Sequence, residues 1–443
     1  MKLLVHPQKS PLNGAITIPG DKSISHRVVM LAAIADGRST IRQWLPAGDT
    51  IATLEAVRAM GVHIAVDEHS PQAWDLEIEG RGLHGLCPPD APLDCRNAGT
   101  CMRLLAGILA GQRFPSVLDG SSQLRKRPMG RIIEPLREMG ARIAAADGRA
   151  PLHIQPGKLH SAAYRMNVAS AQVKSAILLA GLYAEGETRV FQPGPARDHT
   201  ERMLAAMGVK LAAEEAADGT WVLLKRLGRM GLKSLDLTVP GDISSAAFPL
   251  VAAAVVPHSE VTVTNVGLNE TRIGILDILQ TMGAAFSVTN RRTTGGEPAG
   301  DLTVHFDEMH ATEVGGRRVV RAIDEFPVWA VAATQAAGDS TVHDAAELRV
   351  KEVDRISRLA GELRKLSVNI TEHPDGFTVS GPTHLRGAEV DSHGDHRLGM
   401  ALAVAGLVAR DSTLVHNADC IADSFPGFVE TMRALGAEME WVA

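Results

Sequence analysis

The sequence predicts an α/β fold (α+β in strict class terms) made of six copies of one supersecondary unit, three in each of two domains, with helices inside and sheets outside. Three observations predict it. A glycine preceded by Met or Leu closes an apolar-periodic stretch at Met60-Gly61, Met139-Gly140, Met207-Gly208, Met282-Gly283, the variant Leu366-Ser367, and Leu435-Gly436. The copies lie 68 to 84 residues apart, which is the signature of an internal repeat. In phase with that ladder, a short polar motif opens a helix of small apolar residues near Gly20, Asn97, Ser170, Gly241, Asp324 and Asp395. Lastly, Ile18-Pro19-Gly20-Asp21-Lys22-Ser23 is echoed 221 residues later as Val239-Pro240-Gly241-Asp242-Ile243-Ser244, close to half of a 443-residue chain. So long a chain exceeds one ordinary core, and the echo divides it into two domains of three repeats.

Each unit reads as strand, helix, strand, helix and further strand. In the first, Ala15 to Pro19 alternates apolar and polar like a strand, a helix follows from about Ser23 to Ala35, then a strand at Thr40 to Gln43. A second helix runs from Thr50 to Met60, and strands from Val62 to Val66 and Asp75 to Glu79 complete the unit. The second helix of each unit ends at the Met-Gly or Leu-Gly step, where glycine supplies a left-handed cap. The first helix is apolar nearly all round, as in Leu104-Leu105-Ala106-Gly107-Ile108 and Met400-Ala401-Leu402-Ala403-Val404-Ala405, so it is expected to be buried. Parallel buried helices would bring their amino-terminal ends, with unsatisfied N–H groups and positive dipole ends, onto one face of each domain, ready for anions.

Composition excludes several alternatives. An apolar content of 45% with 22% charged residues is ordinary for a globular protein. No apolar run approaches the ~18 residues of a membrane span, and the Met1 to Val5 stretch meets His6 and Pro7 before a signal-peptide core can form. A cytoplasmic protein with no membrane partner is expected. Cys87, Cys95, Cys101 and Cys420 show no C-x-x-C spacing, which points to neither zinc nor a disulfide scaffold. A formal charge of −6 and 4% aromatic residues argue against nucleic acid as a partner. Anionic ligands would have to be held by local arrangement.

The polar motifs supply that arrangement. Gly20-Asp21-Lys22-Ser23-Ile24-Ser25-His26-Arg27 puts Lys22 and Ser23 at a helix start, with Ser23 and Arg27 on one face. It is no P-loop, because Asp21 separates the glycine from the lysine. By itself the stretch fits equally a Ser N-cap beside two solvated cations. Asn97-Ala98-Gly99-Thr100-Cys101-Met102-Arg103 opens the second buried helix with Asn97 as a suitable cap, and Gly99 in its first turn suggests a ligand close to the backbone. Ser170-Ala171-Gln172-Val173-Lys174 opens the third, and Arg125-Lys126-Arg127-Pro128 is a basic knot between them, or a solvated turn. In the second half Asp324 precedes Pro327 at a helix start. Arg349-Val350-Lys351-Glu352-Val353-Asp354-Arg355 is read as one helical face carrying acid and cations together, a pattern that a surface helix laced with ion pairs shares. His393-Gly394-Asp395-His396-Arg397 is a poor metal cluster, since no third ligand lies at zinc-like spacing. Lys22, Arg27, Arg127, Arg197, Lys351, Arg355 and Arg397 thus stand at or beside predicted helix starts in both halves, and flank, in this reading, a cleft suited to polyanionic substrates.

These motifs, with Arg197-Asp198-His199-Thr200-Glu201-Arg202 between the third and fourth, resemble in composition and order the 3-phosphoshikimate 1-carboxyvinyltransferase (EPSP synthase) family, over essentially the whole chain. The first motif is written as the bacterial branch writes it. The resemblance implies two inside-out, barrel-like α/β domains, each of three βαβαββ units, that close over the ligands. It puts residues 20–240 in one domain and 1–19 with 241–443 in the other, with hinges near 19–20 and 240–241. The implied reaction moves the enolpyruvyl group of phosphoenolpyruvate to shikimate 3-phosphate, without cofactor or metal, in a monomer.

By the same resemblance, Lys22, Ser23, Arg27, Ser170, Ala171, Gln172 and Arg197 would hold shikimate 3-phosphate, with Asp324 and Lys351 at its hydroxyls. Lys22, Asn97, Gly99, Arg127, Gln172, Arg355 and Arg397 would meet phosphoenolpyruvate. Asp324 would take the 5-hydroxyl proton, and Glu352, with Lys22, would protonate the methylene carbon. The phosphonate glyphosate is an expected inhibitor, because Gly99 leaves open the space an Ala methyl would fill. Two departures stand out: Cys420 to Pro426 lacks the Lys that many relatives carry two or four residues before Phe425, and Leu104 stands where some have Pro. The related UDP-N-acetylglucosamine enolpyruvyl transferases carry a reactive Cys before the basic knot, and Leu118 to Lys126 has none. A non-catalytic repeat scaffold for anionic partners is the other alternative.

Overall fold

A computed structural model describes residues 1–225 and 231–442. Six helices set its plan: Lys22–Ala33, Gly99–Leu109, Ala171–Gly181, Ile243–Val255, Phe326–Gln335 and His396–Leu407. They are apolar almost all round and buried almost all round; in the fourth, every residue from Ile243 to Val255 is buried. Such helices must be covered on all sides, and among the described residues six small sheets supply the cover.

The sheets repeat one pattern. In one, Leu93–Asp94 runs parallel to Ser116–Asp119, which pairs antiparallel with Leu152–Gln155, which pairs antiparallel with Arg142–Ala144. In another, Glu313–Val314, Gly338–Val342, Gly376–Gly381 and Asn369–His373 repeat those relations. Leu152 and Ile154 are buried while His153 and Gln155 are exposed, so the period of two turns one face inward and the other outward.

The chain forms two compact units. One comprises Gly20–Val239 with Thr293–Glu297, the other Met1–Pro19, Pro240–Arg292 and Pro298–Ala443, and each has its own apolar core. The strand read at Ala15 to Pro19 as part of the first repeat is corrected here. It is Asn13–Ile16, and it pairs parallel with Glu260–Gly267 of the fourth repeat. Beside Ala35–Trp44 of the first repeat run Leu232–Lys233 and Asp236–Thr238. The strands preceding the two echoed Pro-Gly-Asp motifs are thus exchanged between units, which periodicity within one repeat could not reveal. Lys2–Val5 likewise completes the sixth sheet between Thr413–His416 and Met439–Val442. The hairpin tip Thr293–Glu297 was not anticipated in the first unit. It is held there by Glu297, whose Oε1 lies 2.8 Å from His199 Nδ1, both side chains being buried.

The closing ladder has a single cause. Gly61, Gly140, Gly208, Gly283, Ser367 and Gly436 all have positive φ, from 70 to 99°, directly after the second helix of their repeat. Glycine enters that region without steric cost, and Ser367 does not. Between the second and third buried helices, a Cβ on Gly107 would stand 2.4 Å from the carbonyl oxygen of Ala176, so no larger residue fits this crossing. Opposite effects are predicted: Ser367→Gly stabilises by up to ~1 kcal/mol through relief of the left-handed residue, whereas Gly107→Ala destabilises by ~1–3 kcal/mol through overpacking. Thermal unfolding of both variants checks the signs, and a Gly107→Ala melting point at or above that of the wild type would contradict the packing argument.

Candidate active site

In the Gly20–Val239 unit the polar groups gather at the starts of the three buried helices. Asp21, not Ser23, caps the first, its carboxylate accepting from the Ile24 N–H at 2.9 Å. That leaves the Ser23 hydroxyl to accept from Arg197 Nη1 at 3.5 Å. Lys22 lies at the same start, partly open to solvent, with Nζ 3.3 Å from Asp49 Oδ2. Arg27 is buried: its Nε donates to Thr200 Oγ1 at 2.8 Å, Nη1 to the Ser23 carbonyl at 3.0 Å and Nη2 to Ser175 Oγ at 3.0 Å. Burial pushes this guanidinium down to about 10, against the pull of Glu201 and Asp21, and it stays charged at neutral pH. It ties the first and third buried helices to the helix His199–Ala206.

The second helix start differs from expectation. Asn97 does not cap it; Nδ2 donates to Gln123 Oε1 at 3.1 Å and Oδ1 accepts from Ser121 Oγ at 3.2 Å. Ala98 occupies the cap position and supplies no side-chain bond, so the first-turn N–H groups beside Gly99 are left for other acceptors. Ser170 does cap the third helix, accepting from Val173 N–H at 3.4 Å, and Ala171 begins its first turn. Gln172 accepts from Arg103 Nη1 and donates to Thr100 Oγ1 at 2.9 Å. A Cβ on Gly99 would sit 3.1 Å from Arg103 Nη1 and 3.3 Å from Arg127 Nη1. Gly99, Thr100, Arg103, Arg127 and Gln172 are therefore one group. Arg103 closes the motif that opens at Asn97 but has no role in the sequence-based expectation; a lone cation four residues after Gly99, within an apolar helix, is the available signal. Within the basic knot Arg125 is spent on Asp119, 2.5 Å away, and its hydrogen bond holds that carboxyl below its ordinary value.

In the other unit the centre is Arg355, 1% exposed. Its Nε donates to Asp395 Oδ2 at 2.8 Å, Nη2 to Glu352 Oε2 at 2.7 Å and Nη1 to Asp324 Oδ1 at 3.2 Å. Burial alone would lower this guanidinium, but Asp395, Glu352 and Asp324 together hold it above its ordinary value. Lys351 Nζ lies 3.5 Å from the same Asp324 oxygen, and Arg397 Nη2 lies 3.8 Å from the other. Asp395 also caps the sixth buried helix, accepting from the Arg397 N–H at 2.9 Å.

The predicted helical face over Arg349 to Arg355 is not there. A 3₁₀ turn, Ala346–Val350, ends before Lys351, whose backbone is extended, and the next helix begins only at Arg355. Asp354 stops it from starting earlier, because its carboxylate accepts from the Ser357 N–H at 3.1 Å as the cap. Lys351 and Glu352 thus reach Asp324 and Arg355 from an irregular segment. His393 turns to Glu362, 2.9 Å away, and among the described residues no group of three His, Cys, Asp or Glu side chains is placed to hold a metal ion. Nor, among them, is any helix long and apolar enough to cross a membrane.

The sequence profile of the family described as EPSP synthase (3-phosphoshikimate 1-carboxyvinyltransferase) matches residues 7–432. A 3-phosphoshikimate 1-carboxyvinyltransferase of Citrifermentans bemidjiense is 51% identical over 97% of this chain and 98% of its own length. Another, from Acidithiobacillus ferrooxidans, is 48% identical over 99% of both chains. Among solved structures, an EPSP synthase from Acinetobacter baumannii superposes with a TM-score of 0.88 at 40% identity, covering 99% of both chains.

One residue of the first motif serves the core instead. His26 is 1% exposed and its Nδ1 lies 2.6 Å from Thr53 Oγ1. Burial, then the charges of Lys22 and Arg27, hold its imidazole well below the ordinary value of 6.5. Below about pH 6.5 the unfolded chain takes up a proton that the folded one refuses, so stability falls with falling pH by at most ~1.4 kcal/mol per unit. Melting temperatures between pH 7.5 and 5.5 should decline less for His26→Gln than for the wild type; equal slopes would contradict the buried neutral imidazole.

Proposed function

The chain belongs to the EPSP synthase family, and on that premise we propose which of its residues carry the family's reaction. It is a transferase that moves the carboxyvinyl group of phosphoenolpyruvate to the 5-hydroxyl of shikimate 3-phosphate and releases phosphate, a step of the shikimate pathway. In the Gly20–Val239 unit, Lys22, Ser23, Arg27, Ser170, Ala171, Gln172 and Arg197 hold shikimate 3-phosphate. Three of the five Arg27 N–H groups are already given to protein oxygens, so much of its effect lies in fixing Ser23 and Ser175. Asn97, Gly99, Arg127 and Gln172, with Lys22, hold phosphoenolpyruvate. In the other unit Lys351 and Asp324 bind substrate hydroxyls, and Arg355 and Arg397 supply positive charge for the donor.

The chemistry then divides between two carboxyls. Asp324 takes the proton of the 5-hydroxyl as its oxygen bonds to C2 of phosphoenolpyruvate. Glu352, with Lys22, gives a proton to C3. The tetrahedral adduct returns a proton from the new methyl group to the group that supplied it as the C–O bond to phosphate breaks, and the double bond is restored. No metal or organic cofactor enters this sequence. The observation that carries the reading is the placement of Asp324 and Glu352 on one buried guanidinium, at 3.2 and 2.7 Å. Fixed alignment of reactants can supply ~7–11 kcal/mol of the barrier, and positioned proton transfer adds ~10²–10⁴-fold.

Phosphate release from phosphoenolpyruvate is the test. It should require shikimate 3-phosphate, fail with shikimate or a UDP-sugar, and slow when glyphosate is added. Asp324→Ala and Glu352→Gln should each lower kcat by ~10²–10⁴-fold with little change in melting temperature for the latter. Release with a UDP-sugar alone, or full activity in either variant, would overturn the assignment.

A further inference from the structure

Next to Asp324 stands a carboxyl that the reaction as described does not use. Glu325 is 1% exposed and occupies the cap position of the helix Phe326–Gln335, yet its side chain caps nothing. Its Oε1 accepts from the Ser244 hydroxyl. Ser244 accepts in turn from Arg272 Nη2 at 2.8 Å, and the same nitrogen donates to Asp242 Oδ1 at 2.9 Å. Glu325 Oε2 is shut off from solvent without a hydrogen-bond partner. Burial raises this carboxyl above its ordinary value, while Arg397 and Arg272 pull it back and Asp324 raises it further.

A buried carboxyl with an unserved oxygen weakens a fold. Glutamine would fill the same volume and keep the Ser244 bond, so packing does not call for an acid here. What the charge reaches, beyond Arg272 with its own Asp242, is Arg397. Arg397 Nη1 lies 3.8 Å from Glu325 Oε1, and Nη2 lies 3.8 Å from Asp324 Oδ2. Nη1 also donates to the Asp324 carbonyl at 3.3 Å. The guanidinium therefore stands between two consecutive carboxyls, equally far from each and in hydrogen-bond contact with neither.

We propose that Glu325 is a positioning residue for the transfer reaction, its charge holding the Arg397 guanidinium off Asp324. Arg397 then keeps N–H groups for the carboxylate of phosphoenolpyruvate, and Asp324 stays open to a substrate hydroxyl. This rests on the roles given to Asp324 and Arg397 above. With Glu325 neutral, the pull on one side is gone, and Arg397 closes onto Asp324 and occupies both groups at once.

Steady-state phosphate release by the wild type, Glu325→Gln, Glu325→Ala and Glu325→Asp, with melting temperatures for each, tests the inference. Glu325→Gln should raise KM for phosphoenolpyruvate about tenfold or more and lower kcat, leaving KM for shikimate 3-phosphate near its original value. Its melting temperature should equal or exceed that of the wild type. Glu325→Ala should be impaired like Gln, and Glu325→Asp, which keeps the charge, should recover part of the loss. Wild-type constants in Glu325→Gln, or losses that follow melting temperature across the series, would reduce Glu325 to a packing residue and overturn the inference. A wild type that releases no phosphate would remove the premise, and the inference with it.

Discussion

Helices that are apolar almost all round carry their polar groups at or near their starts, and this constraint places much of the polar machinery of the chain. Along the flanks of Ile243–Val255 or His396–Leu407 each side chain meets the core, so Asp242 and Asp395 stand at the first position where water or a charged partner can be met. The same holds for Asp21 and Ser170 in the other unit. Sheets arranged around the helices close off the flanks and leave the starts. Repetition of one unit thus gives a series of helix starts that differ from one another: a carboxylate cap at some, a cap position without a side-chain bond before Gly99 at another.

Arg355 shows how such starts are drawn into one charged cluster. It opens the second helix of its repeat and reaches the caps and neighbours of two buried helices, through Asp324 on one and Asp395 on the other. Arg272, just before the helix Gly274–Thr281, does related work one repeat earlier, tying Asp242 and Ser244. Burying a guanidinium costs several kcal/mol, and removing one partner of a buried pair costs ~3–5 kcal/mol because the other is stranded. With three carboxylates on one cation, Asp324 and Glu352 do not adjust independently. Their positions, and in the proposed reaction the protons they move, are linked through the guanidinium between them.

Much of this was legible in the chain. The Met-Gly ladder stated the number of repeats because a left-handed residue after each second helix leaves few choices but glycine. The buried helices announced themselves by composition, since runs such as Pro249-Leu250-Val251-Ala252-Ala253-Ala254 have no polar face. The Pro-Gly-Asp echo gave the halves, but not the exchange of Asn13–Ile16 and Asp236–Thr238, because strand pairing across more than two hundred residues leaves no local pattern. At the helix starts, residue type was a good guide to location and a poor one to partner. Asn97 has the chemistry of a cap and bonds sideways instead; Asp354 leaves most of an expected helical face outside the helix by capping one that begins only at Arg355. Arg103 and Glu325 were hidden for a common reason: each lies in or against an apolar helix, where a charged residue looks like an interruption until its neighbours are known.

That Asp324 and Glu352 act as one unit through Arg355 is most directly measured by a double-mutant cycle on kcat for phosphate release, using Asp324→Asn, Glu352→Gln and the two combined. Linked groups give strongly non-additive losses, so the double variant should be little slower than the slower single one. Losses that multiply, as for two independent sites, would contradict the shared guanidinium as the element that makes the centre work.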